Sequence, residues 1–165
     1  MNLFVRLFAI AALLLSQHTF AAEVLSATLE ASKVVRGNDG KEQLLSADKA
    51  RPGDVVEYRA QYKNVSAKSL RGVMAVLPVP AVGMEYLTNT ALPGGAEASI
   101  DGVNFAPPPL RRLVRLPDGT QRQQLVPTSE YRFLRWSLGD LPAGASKSVA
   151  ARMRVVTSPV LTTTP

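Results

Sequence analysis

The amino-acid sequence predicts an all-β fold, an antiparallel β-sandwich carrying a hairpin insertion. Three observations predict it. Apolar residues recur with a period of two nearly everywhere, and helical faces are hard to find. Clusters of Gly, Pro, Asn and Asp bound each run. The runs are short and number about eight to ten, as in a sandwich and unlike an alternation of strands and helices.

Each element follows from its own residues. Leu25, Ala27, Leu29 and Ala31 alternate with Ser26, Thr28, Glu30 and Ser32, which predicts a half-buried strand. Asn38-Asp39-Gly40 marks a turn. Arg51-Pro52-Gly53-Asp54 marks another, with Pro fixing φ at its second position and Gly tolerating positive φ at its third. Residues 54–63 form a strand with Val56, Tyr58, Ala60 and Tyr62 on one face and Glu57, Arg59, Gln61 and Lys63 on the other. After a polar turn, residues 70–77 are denser in apolar side chains, which predicts a central strand covered on both faces. Residues 84–87 read as a short strand. Residues 96–100 and 103–106 flank Asp101-Gly102, and residues 113–116 and 120–126 flank Asp118-Gly119, so both predict hairpins. Residues 131–138 form a strong strand bearing the only tryptophan, Trp136. The last strand points Val149, Ala151, Met153 and Val155 inward and Ser148, Ala150, Arg152 and Arg154 outward. Residues 22–156 thus read as one domain, with residues 93–127 an insertion around Pro107-Pro108-Pro109, where ladder donors are missing.

The N-terminus predicts the compartment. Arg6 precedes an unbroken apolar run over residues 7–15, and polar then small residues follow. That is the order of a signal peptide, residues 1–21, cleaved after Ala21. The chain has no cysteine, and its one histidine, His18, falls in the segment to be removed. The mature domain is expected to be exported, periplasmic or extracellular, with no disulfide and no lipoprotein anchor. No later run reaches the ~18 apolar residues of a membrane span. Residues 157–165 form a Thr/Pro-rich tail. The whole chain carries a formal charge of +6. Such a field favours anionic partners, lipid headgroups or polysaccharides among them, while export argues against nucleic acid. The simpler reading is that modest charge aids solubility.

Several stretches in order are familiar: Arg51-Pro52-Gly53-Asp54-Val55-Val56-Glu57-Tyr58, Tyr62-Lys63-Asn64-Val65-Ser66, Val76-Leu77-Pro78 followed by Gly83-Met84-Glu85-Tyr86, and Leu134-Arg135-Trp136-Ser137-Leu138-Gly139-Asp140-Leu141-Pro142-Ala143-Gly144. Together they resemble the bacterial surface "conserved repeat domain", a family of unknown function, number eleven in its series. The resemblance runs over residues 44–156, with 93–127 matching poorly, and implies an immunoglobulin-like sandwich. It brings no catalytic residues. The family usually has an Asp just before its Leu-Pro, where this chain reads Ala75-Val76-Leu77, and its members often occur in tandem, where this chain holds one copy.

Candidate chemistry is sparse. Ser46-Ala47-Asp48-Lys49 matches the Ser-x-x-Lys of acylating serine enzymes, but lies in a polar loop without the accompanying motifs. The acids are scattered, which disfavours a glycosidase pair. Asn38-Asp39-Gly40, Asp101-Gly102 and Asp118-Gly119 could each lend a carboxylate to calcium, though tight turns alone explain them. Asn64-Val65-Ser66 is a sequon. Trp136 fits a core position better than a sugar platform. Arg111, Arg112, Arg115 and Arg122 concentrate charge in the insertion, as a candidate surface for anions or a partner. The competing and favoured reading is charge that discourages edge-to-edge aggregation. The expectation is a non-enzymatic exported domain, without cofactor or metal, acting in protein–protein or cell-envelope interaction. A carbohydrate- or polyanion-binding module using the Arg-rich hairpin is the alternative.

Overall fold

A computed structural model describes residues 24–157. The expected signal peptide and residues 158–165 of the tail lie outside the described residues. The described chain is all-β: β1 (Leu25–Arg36), β2 (Glu42–Ser46), β3 (Val55–Asn64), β4 (Leu70–Pro78), β5 (Met84–Tyr86), β6 (Glu97–Ser99), β7 (Arg111–Arg115), β8 (Gln121–Leu125), β9 (Phe133–Leu141) and β10 (Ser146–Val155). Two single 3-10 turns, Ala47–Lys49 and Thr128–Glu130, are its only helical pieces. No helix among the described residues is long and apolar enough to cross a membrane.

Every strand pairing is antiparallel. One sheet has the order β2-β1-β3-β10-β5, a second the order β4-β9-β6, and β7-β8 stands apart as a two-stranded ribbon. Alternation along β3, β9 and β10 makes the core. Ala60 and Tyr62 of β3 and Val149, Ala151 and Met153 of β10 meet Ala75 and Leu77 of β4 and Leu134, Trp136 and Leu138 of β9 in one buried cluster. The turn before β3 forms as its residues predict. Gly53 takes φ +93°, the Asp54 N–H donates to Arg51 O at 2.9 Å, and the Asp54 carboxylate accepts from Lys33 Nζ at 2.7 Å.

Four sequence expectations are corrected here. β4 is an edge strand, not a central one: Met74 and Val76 on its outward face are 44% and 41% exposed. β1 forms as a strand, but it is not half-buried as expected: Thr28 and Glu30 are exposed, and Ala27, Leu29 and Ala31 are exposed as well. They share the inward face with Tyr62, Ala60 and Tyr58 by register, but the facing sheet has only three strands and leaves β1 uncovered. The Asp101-Gly102 hairpin shrinks to one bridge, Ala98 to Ala106, because β6 pairs with β9 instead. Ala150, expected outward, is buried, with Leu92 bonded alongside it through two backbone hydrogen bonds of 2.7 Å.

The outward face of the larger sheet holds an ionic chain. Glu57 accepts from Arg59 at 2.6 Å and from Arg152 at 3.2 Å, and Arg152 reaches on to Glu42 at 2.7 Å. The two long arginines cover Glu57 so fully that only 5% of it is exposed.

Candidate functional site

The β7-β8 ribbon is built by local chemistry. Its turn closes when the Gly119 N–H donates to Leu116 O at 2.9 Å, with Gly119 at φ +84°. A residue with a Cβ pays strain in that left-handed region, so glycine suits the position. The Asp118 carboxylate accepts from Thr120 N–H at 2.9 Å and Thr120 Oγ1 at 2.7 Å. Those bonds hold its pKa below the usual carboxylate value. The strands then pair from Arg111 opposite Leu125 to Arg115 opposite Gln121.

The ribbon is fastened at its base. Leu110 and Val126 are buried and paired, Val126 N–H donating to Leu110 O at 2.9 Å. The Leu110 N–H donates to the hydroxyl of Tyr131 at 2.8 Å, and Tyr131 stacks on Tyr86 with ring centroids 6.1 Å apart. Arg112 makes a two-pronged contact with Glu130 at 2.6 and 3.1 Å. Beyond the base, all five residues of β8 are exposed.

The structure brings the four predicted arginines onto this one ribbon but divides them between its faces. Cross-strand partners in an antiparallel pair point the same way. One face therefore carries Arg111, Leu113 and Arg115 with Leu125, Gln123 and Gln121; the other carries Arg112 and Val114 with Gln124 and Arg122. Arg112 is committed to Glu130. Arg111, Arg115 and Arg122 make no ion pair among the described residues. The sequence reading missed the apolar half of this face: Leu113 is 65% and Leu125 52% exposed. The available signal was the spacing of Arg111, Leu113 and Arg115 two apart, which fixes a shared face once a strand is granted.

The other candidates resolve into structure. Ser46 caps a 3-10 turn, its Oγ accepting from the Asp48 N–H at 3.2 Å, and makes no hydrogen bond to Lys49. Asp101 is turned inward on its own loop, accepting from Val103 and Asn104 N–H at 2.9 and 2.8 Å and from Asn104 Nδ2 at 2.8 Å. With Asn104 contributing most, its carboxyl sits well below the usual carboxylate range. Asp39 accepts from Lys41 N–H at 3.0 Å in the same manner. No group of three His, Cys, Asp or Glu side chains suited to a metal occurs among the described residues. Asn64 of the sequon is wholly buried, its amide donating to Lys68 O and Leu141 O at 2.7 and 2.8 Å. Trp136 is 2% exposed and donates to Pro93 O at 2.8 Å, a core residue as expected.

No family model, no curated protein and no solved structure matches this chain.

Proposed function

We propose that this protein is an exported, non-enzymatic, immunoglobulin-like domain of the conserved-repeat kind, working by contact with a protein or other component of the cell envelope. The observation that carries this reading is the β7-β8 ribbon. It lies outside both core sheets and presents Arg111 and Arg115 beside the exposed Leu113 and Leu125 on one face and Arg122 on the other, none of the three in an ion pair among the described residues. Recognition tends to sit on such projections from a rigid scaffold. The two antiparallel sheets around one core support the immunoglobulin-like part, and the signal-like residues 1–21 support export. The turn-bound carboxylates of Asp39, Asp101 and Asp118 speak for structural work rather than chemistry.

The test compares wild type with a variant carrying Arg111→Gln, Arg115→Gln and Arg122→Gln. Arg112 is left in place because it anchors the base. Both are used to capture partners from envelope fractions at low and high salt. The expected result is capture by wild type that weakens with salt, since exposed charges are screened within ~8–10 Å, and is lost in the variant. Equal capture by both would leave the arginines as anti-aggregation charge. Capture of soluble polysaccharide alone would favour the polyanion-binding alternative.

A further inference from the structure

The ribbon face described above combines two chemistries. Arg111 and Arg115 bracket Leu113 on β7, and Leu125 lies opposite Arg111 on β8. Alternate residues of a strand stand about 6.6 Å apart, so cation, apolar group and cation follow one another along a line. The remaining residues of this face, Gln121 and Gln123, are neutral. Of the acids around the ribbon, Asp118 is tied into the turn by Thr120, Glu130 is spent on Arg112 at the opposite face, and Asp101, in the cleft beside Arg111, is bonded within its own loop by Val103 and Asn104. Arg111 and Arg115 thus make no ion pair among the described residues, although Asp101 tempers the field at the ribbon base.

A hydrophilic polyanion would be served by arginines alone. It would bury little of Leu113 and Leu125, since its anionic groups engage the arginines and it has no acyl layer to receive the leucines. A surface that is anionic above and apolar beneath uses both kinds of side chain at once. Arginine forks suit phosphate, and their stems tolerate an apolar neighbour. Ile100, 40% exposed, shares a cleft at the ribbon base with Arg111.

We propose that the β7-β8 ribbon docks on an anionic lipid surface, with Arg111 and Arg115 on headgroup phosphates and Leu113 and Leu125 entering the headgroup–acyl boundary. This rests on the ribbon being the contact surface and names what it contacts.

The experiment is flotation of the purified exported protein with vesicles of phosphatidylcholine, and of phosphatidylcholine mixed with phosphatidylglycerol. The variants are Arg111→Gln/Arg115→Gln and Leu113→Ser/Leu125→Ser, checked for folding by circular dichroism. Wild type is expected to float with the anionic vesicles only. The arginine variant should lose about tenfold or more in partitioning. The leucine variant should bind at low salt but release at a salt concentration that wild type withstands. Equal flotation with both lipids overturns the proposal, as does a leucine variant that matches wild type at every salt. Absence of flotation together with arginine-dependent capture of an envelope protein also overturns it, and leaves the broader reading of the ribbon standing. If neither vesicles nor envelope fractions respond to the arginines, both readings fall.

Discussion

At the scale of single residues, the core depends on side chains that are buried and also bonded. Trp136 sits opposite Ala75 of β4, and its indole N–H is satisfied by Pro93 O at 2.8 Å. Trp136→Ala removes the large ring and should cost about 3–5 kcal/mol, the scale for a buried aromatic. No disulfide is available to offset that loss. A urea melt measures it, and an unchanged midpoint would place the ring outside the core. Asn64 is the less obvious case. The sequence reading ends the strand at residue 63 and places Asn64 in a polar turn, but β3 runs through Asn64 and continues the inward series Val56, Tyr58, Ala60, Tyr62 by one step. Its amide serves two carbonyls, and its oxygen accepts from Ser66 N–H at 3.0 Å and Ser66 Oγ at 2.7 Å. Asn64→Asp keeps the acceptor and removes both donations, setting a carboxylate against Lys68 O and Leu141 O. The expected loss is about 2 kcal/mol by the same melt, since the buried Leu141 carbonyl loses the Asn64 donor and faces a carboxylate, while Lys68 O keeps its bond from Ser66 Oγ at 2.9 Å.

At the scale of elements, strands were legible and their neighbours were not. Alternation and turn chemistry are local, so β3, β9, β10 and the β7-β8 ribbon appear close to where the residues put them. Strand order is not local. The apolar density of β4 comes from Met74 and Val76, which face outward on an edge, and nothing within nine residues distinguishes that from a covered centre. The fold protects this edge from within. The Tyr62 hydroxyl donates to Val76 O at 2.8 Å and accepts from the Val76 N–H at 3.1 Å, occupying a position that another strand would take. Tyr62→Phe should cost about 1 kcal/mol, because water can reach Val76. It should also raise concentration-dependent self-association, read by sedimentation velocity. A monomer as stable and as soluble as wild type would remove the edge-guarding role. β1 gives the matching contrast. Leu29→Ser at its uncovered inward face should stay within ~0.5 kcal/mol of wild type, whereas Leu134→Ala, with no exposed surface, should cost about 2–5 kcal/mol.

At the scale of the whole molecule, the candidate surface was partly legible. Its arginines lie within one hairpin, so sequence neighbours are spatial neighbours. Their division between faces needed the register, and the pairing of Arg112 with Glu130 spans a distance in sequence that no pattern reports. The same holds for the charges that set stability against pH. Glu42 is lowered first by its hydrogen bond from Arg152, and Asp54 first by that from Lys33. Asp101 and Asp118 are lowered chiefly by bonds from Asn104 and Thr120. A carboxyl whose folded pKa lies below its ordinary value, 3.8 for Asp, adds stability that is present above that value and lost as pH falls through the folded one. Tyr58 and Tyr86 behave in the opposite sense. Burial raises both above 10.0, so their contribution holds below pH 10 and is lost as pH rises beyond it. The chain's one histidine is His18 and it has no cysteine, so no side chain of the described domain has an ordinary pKa between these limits. The melting temperature should therefore run flat from about pH 5 to pH 9 and fall on both sides. Salt separates the causes on the acid limb. The ion-paired share from Glu42 and Asp54 should shrink as screening rises, while the turn-bonded share from Asp101 and Asp118 stays. A melting series at low and high salt reads this directly, with Asp101→Asn flattening the salt-resistant part. A step in stability near neutral pH would mean that a group outside these six controls the fold.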